Sequence, residues 1–154
     1  MENIIAESFI ESASGVFSQM IGMPFEKGEI SCESKPSLGQ NLLILIGLTG
    51  NVRGNVIMGF TSDLACKFAG TMMMMPVEQI DEMTQSAICE LCNMIMGNAA
   101  TALSQKNIIV DITPPTVLTG QNLQFRFEQS KLINIPLIFD GSNILNVNIS
   151  YKGE

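Results

Sequence analysis

Between positions 86 and 97 four polar or small residues recur at helical spacing: Ser86, Glu90, Asn93 and Gly97. A helix turns about 100° per residue, so positions three and four apart stack on one face. These four form one narrow stripe, and Ile88, Leu91, Cys92, Ile95, Ala99 and Ala102 fall on the opposite side. Such a helix buries its apolar face and offers a hydroxyl, a carboxylate, a carboxamide and a glycine to something outside. The Glu90 carboxylate suits a cation on a partner. The Asn93 carboxamide is no base, but it donates and accepts hydrogen bonds at once and can hold a water. Together the pair can orient that water for in-line attack on an electrophile supplied elsewhere. Phosphoryl transfer needs little beyond positioning and charge compensation.

A solvated helix face is the bland reading of the same stripe, and three details weigh against it. A mid-helix Asn costs several tenths of a kcal/mol relative to Ala, and Gly97 costs about 1 kcal/mol. Gly97 also removes the side chain that would block a close approach. Met83 and Met94 flank the stripe, and flexible thioethers suit a docking rim.

The elements that must carry this stripe can be read along the chain. Residues 4–22 form an amphipathic helix with Ile5, Phe9, Ala13, Val16, Phe17 and Met20 on one side, ended by Gly22 and Pro24. Leu42–Leu48 is a strand buried on both faces, residues 49–54 a turn, and 55–60 a second strand, which makes a hairpin. A second helix runs from Ser62 into Met72–Met75 and stops before Pro76. The long helix bearing the stripe spans about 78–106. Strands follow at 108–112, halted by Pro114 and Pro115, and at 123–127. A closing hairpin joins 132–139 to the alternating Leu145, Val147 and Ile149 through Asp140-Gly141.

This order suggests an internal repeat of helix then hairpin, in which Glu11 and Ser14 copy the spacing of Glu90 and Asn93. The expected fold is one α/β (α+β) domain over residues 1–154. A mostly antiparallel central sheet would carry helices packed on it, with the halves related by a pseudo-twofold axis.

Composition narrows the chemistry. The 154 residues suffice to bury about 70% of the unfolded surface. Net charge is −7 with only eight Lys and Arg, so nucleic acid and anionic membrane are poor partners. Histidine is absent, which excludes every mechanism needing imidazole, and Trp is absent too. No signal peptide or 18-residue apolar run is evident, so a cytoplasmic protein with reduced cysteines is expected.

The run Ser86-x-x-x-Glu90-x-x-Asn93-Met94-Ile95-x-Gly97-Asn98-Ala99 resembles the motif of the CheC/CheX/FliY family of chemotaxis phosphatases. That motif is an Asp or Ser, a Glu four residues later and an Asn three later, usually followed by a glycine. The order of elements, the Gly-Asn-Val-Arg-Gly turn at 50–54 and the prolines after the motif helix resemble the family too. A single motif fits the CheX branch, because Ser14 stands where the first helix would need Asn.

The resemblance implies a CheC-like fold and hydrolysis of the aspartyl phosphate on a CheY-like response regulator in chemotaxis signalling. Glu90 would dock on the regulator's active-site lysine, and Asn93 would position the attacking water. Ser86, Met83, Met94 and Gly97 would contact the partner. No cofactor or metal would belong to this chain, since Mg²⁺ would be supplied by the phosphorylated regulator. A homodimer is implied as well. The alternative in the same fold is a non-catalytic regulator-binding or flagellar-switch scaffold, which would need neither Glu90 nor Asn93.

Other motifs have plainer readings. Cys89-x-x-Cys92 invites zinc or redox chemistry, but a four-thiolate site would need Cys32 and Cys66 to converge, and buried small hydrophobes account for the pair. Met72–Met75 reads as a helix end packed into the core rather than a binding surface. Asn148-x-Ser150 is the polar side of a strand, and a metal-dependent hydrolase would need clustered carboxylates that the chain does not offer.

Overall fold

The computed structural model describes residues 2–32, 40–121, 123, 131–141 and 143–153. Helix α1 (Glu2–Met20) is followed by the short strand β1 (Glu26–Lys27) and the hairpin β2 (Leu42–Gly50) and β3 (Val52–Phe60). Helices α2 (Ser62–Met73) and α3 (Glu82–Ser104) come next. The chain then forms β4 (Val110–Ile112), β5 (Thr116–Thr119) and the hairpin β6 (Lys131–Phe139) and β7 (Asn143–Gly153).

All strand pairs are antiparallel, and the sheet runs β1-β6-β7-β3-β2-β4, with β5 also on β2. Two hairpins thus meet at β3 and β7, and each hairpin's outer strand takes an edge strand that follows a helix. The arrangement reads alike from both ends, which is the layout expected of the internal repeat. At the central seam β3 and β7 approach so closely that a Cβ on Gly54 would lie 1.8 Å from the Ser150 carbonyl oxygen.

The inward side chains of β2, β3, β6 and β7 make a single apolar core with the three helices. α1 contributes Ile5, Phe9, Ala13, Val16 and Phe17, and α3 contributes Ile88, Leu91, Cys92, Ile95 and Ala99. Phe17, Phe68 and Phe139 stack mutually with ring centroids 4.9–5.3 Å apart, tying α1, α2 and β6 together. Across the α1–α3 contact the buried Ser12 hydroxyl donates to the Ile95 carbonyl, two residues past Asn93.

Local chemistry sets the boundaries. α1 ends where Gly22 adopts the left-handed conformation (φ 72°) and its N–H returns to the Phe17 carbonyl at 2.8 Å. α3 starts at Glu82 rather than 78, because Asp81 is its N-cap and accepts from the Thr84 N–H at 2.9 Å. It stops short of 106 because Asn107 turns left-handed (φ 64°) and the Ile108 N–H bonds the Leu103 carbonyl.

Several details of the expected strands differ. The turn at 49–54 shrinks to Asn51 alone, since Thr49 and Gly50 pair with β4 while Val52 and Arg53 pair with β7. Strand β1 is too short to show a periodic pattern. Pro114 and Pro115 interrupt the edge instead of ending it: Thr113 bridges the gap, exchanging hydrogen bonds with Gly47 (N–H to Gly47 O at 3.0 Å, Oγ1 accepting from Gly47 N–H at 2.8 Å). Strand β5 then resumes pairing with β2. The expected strand at 123–127 lies largely outside the described residues.

Candidate functional site

Helix propensity and capping place α3, and its apolar stripe against the core decides which face turns outward. The outward face and the start of β5 enclose an open groove of about 530 Å³. Ser86, Glu90 and Asn93 line it, together with Glu82, Gln85 and Cys89 from the same helix and Pro115 and Val117 opposite. Ser86 and Glu90 are exposed and Asn93 is half-buried. Among the described residues none of the three commits its side chain to an internal hydrogen bond or ion pair. Three polar groups within two helical turns are therefore all available to an outside molecule. The rise from Glu90 to Asn93 is about 4.5 Å along the helix axis, so both can reach one small site.

Gly97 continues the stripe one turn beyond Asn93. A Cβ there would meet nothing within 4 Å, so packing inside the chain gives no reason for a glycine in mid-helix. Met83 is 59% exposed at the other end of the stripe. Met94 differs: it is half-buried and packed against the core, which leaves less of its thioether for a rim.

Sequence reasoning passed over Gln85 and Cys89 as groove-lining residues, although both lie in phase with Asn93 at intervals of four. It had no means of seeing Pro115 and Val117, which reach the groove only because β5 resumes beyond the prolines.

The cysteines offer little nucleophilic or metal-binding power. Burial pushes the Cys89 thiol up, and burial followed by its neighbour Cys89 pushes Cys92 well up. Burial, then the Asp63 and Asp81 carboxylates, raise Cys66. Thiols so shifted stay protonated near neutral pH. Among the described residues no three Cys, Asp or Glu side chains converge as a metal site would require.

The other half of the molecule repeats the layout. Beside α1 and the approach to β1 lies a groove of about 560 Å³, lined by Ile10, Ser14, Ser18, Met23, Phe25 and Lys27. Glu11 and Ser14 are both exposed on α1. Ser14 lines this groove but brings a hydroxyl where α3 brings a carboxamide.

Comparison with known proteins matches the chain and its fold over almost their whole length. The family described as chemotaxis phosphatase CheX matches residues 42–144. The CheY-P phosphatase CheX of Thermotoga maritima is 31% identical over 153 residues, covering 99% of this chain and 98% of that protein. A CheC-like superfamily protein from Shewanella sp. PV-4 superposes with a TM-score of 0.90 at 24% identity, over 99% of this chain and 100% of that one. CheX from Borrelia burgdorferi, solved as a CheX-CheY-BeF3-Mg²⁺ complex, gives a TM-score of 0.83 at 26% identity, over 96% and 97% of the two chains.

Proposed function

This chain belongs to the CheX family of chemotaxis phosphatases, and from that premise we propose that it hydrolyses the aspartyl phosphate of a CheY-like response regulator. The reading is carried by the groove that Ser86, Glu90 and Asn93 line with side chains unspent elsewhere. Glu90, exposed at the groove, pairs with the regulator's active-site lysine. Asn93 enters the regulator's pocket and holds a water in line with the phosphorus. Water oxygen bonds to phosphorus, the phosphorus–aspartate oxygen bond breaks, and inorganic phosphate leaves while the regulator regains its free aspartate carboxylate, with the water proton passing to phosphate or solvent. Mg²⁺ belongs to the regulator and compensates phosphoryl charge there; this chain supplies no cofactor. Ser86, Met83 and Gly97 contribute to docking.

The chain acts in the cytoplasm, where a response regulator would meet it. No helix among the described residues is long and apolar enough to cross a membrane. We assign it a homodimer, for which β5 offers an edge paired on one side only among the described residues. Sedimentation at micromolar concentration reads the oligomeric state.

The test of function is the loss of acyl phosphate from a phosphorylated CheY-like regulator, followed with and without the chain. Acceleration is expected. A chain that binds the phosphorylated regulator tightly without accelerating its decay would be a scaffold instead.

A further inference from the structure

We infer that Met74, Met75 and Met83 form an apolar extension of the docking face that receives the regulator beside its phosphorylated pocket. This rests on the phosphatase reading of the groove and goes beyond its polar stripe. The run Met72–Met75, expected to pack inward, divides in the structure. Met72 and Met73 pack against the core, whereas Met74 is 92% exposed and Met75 50% exposed. Met74 also adopts the left-handed conformation (φ 56°) that ends α2, a position where glycine or asparagine sits with less strain. A large apolar side chain is thus held out in water at a backbone position that does not favour it.

Met83 projects from the first turns of α3 toward the same region. One hollow is lined by Met73, Met75, Pro76, Val77 and Met83 among others. A second is lined by Met73, Glu82, Met83, Ser86 and Ala87. The second hollow shares Glu82 and Ser86 with the groove of Glu90 and Asn93. A body seated on Glu90 and Asn93 therefore stands beside the hollow of Met73 and Met83, which in turn meets the one that Met75 lines, with Met74 next to it in the chain.

Charge narrows the occupant. Glu78, Asp81 and Glu82 rim the two hollows, and no Lys or Arg lines either. The fitting surface is apolar with basic residues around it, on the same regulator that presents its lysine to Glu90. Flexible, polarisable thioethers adapt to such a surface without demanding one shape.

The test uses the full chain with Met74→Gln and Met75→Gln combined. Both sites are exposed, so an unchanged Tm is expected and verifies the fold. Steady-state dephosphorylation of a phosphorylated CheY-like regulator should show KM raised about tenfold or more, with kcat within twofold of the parent chain. Parental activity with an unchanged KM in the variant overturns the inference while leaving the phosphatase reading intact. A variant that alters only the oligomeric state assigns the patch to a second copy of this chain and overturns it too. A parent chain that neither binds nor dephosphorylates the regulator removes the phosphatase reading, and this inference with it.

Discussion

Glu90 and Asn93 line the same groove one helical turn apart, yet Glu90 is exposed and Asn93 is half-buried. An exposed carboxylate meets a partner first and contributes to capture. A recessed carboxamide has a more restricted orientation and suits the placing of a single water.

Asn93→Ala should therefore separate binding from turnover. Affinity for the phosphorylated regulator is retained, and the rate of acyl-phosphate loss falls by a factor on the order of 10² or more. Single-turnover kinetics beside a binding titration check this. Near-normal turnover would take Asn93 out of the reaction.

Glu90→Ala should weaken capture itself. A charged pair desolvated at an interface loses about 2–5 kcal/mol when one partner is truncated, and turnover at low regulator concentration falls with it. Calorimetric titration of the phosphorylated regulator reads the change. Unaltered affinity would show that Glu90 touches no cation on the partner.

Gly97→Ala should move stability and activity in opposite directions. The added methyl meets nothing within 4 Å, so the folded chain gains about 0.5–1 kcal/mol from helix propensity. The same methyl stands in the path of a partner seated on Asn93, so KM should rise. Denaturant midpoints and steady-state kinetics on one preparation test both halves, and a variant with unchanged KM would end the docking role of Gly97.

Asp81 governs how the start of α3 responds to acid. Hydrogen bonds from the Thr84 backbone and hydroxyl hold its carboxyl below the ordinary carboxylate range. A folded-state value below the unfolded one contributes stability above about pH 4, and that contribution is lost as pH falls through the folded-state value. Asp81→Ala should lower Tm at pH 7, and the gap to the parent chain should narrow toward pH 3. Asp81→Asn keeps a capping acceptor and removes the titration. A gap independent of pH would show that the ionised carboxylate adds nothing beyond a neutral capping acceptor.

The apolar stripe of α3 and the alternation in β7 were legible because each is a long, regular pattern against one core. Glu90 and Asn93 were legible because their spacing matches that same period. β1 and β5 were not, since two to four residues carry no periodicity and their pairing depends on partners far along the chain. The double proline at 114–115 read as a stop because Thr113, which bridges the break by bonding Gly47, lies 66 residues from it. The two sides of Met72–Met75 were equally hidden, because nothing in four identical residues tells which follow the helix and which leave it.

The matched halves of the sheet have a consequence for how this molecule can change over generations. Each half supports the other's frame, so one can give up its chemistry and still be retained for its mechanical contribution. Ser14 lines the groove of the first half with a hydroxyl where the second half brings the Asn93 carboxamide, so α1 can serve as a buttress for the sheet without taking part in the chemistry.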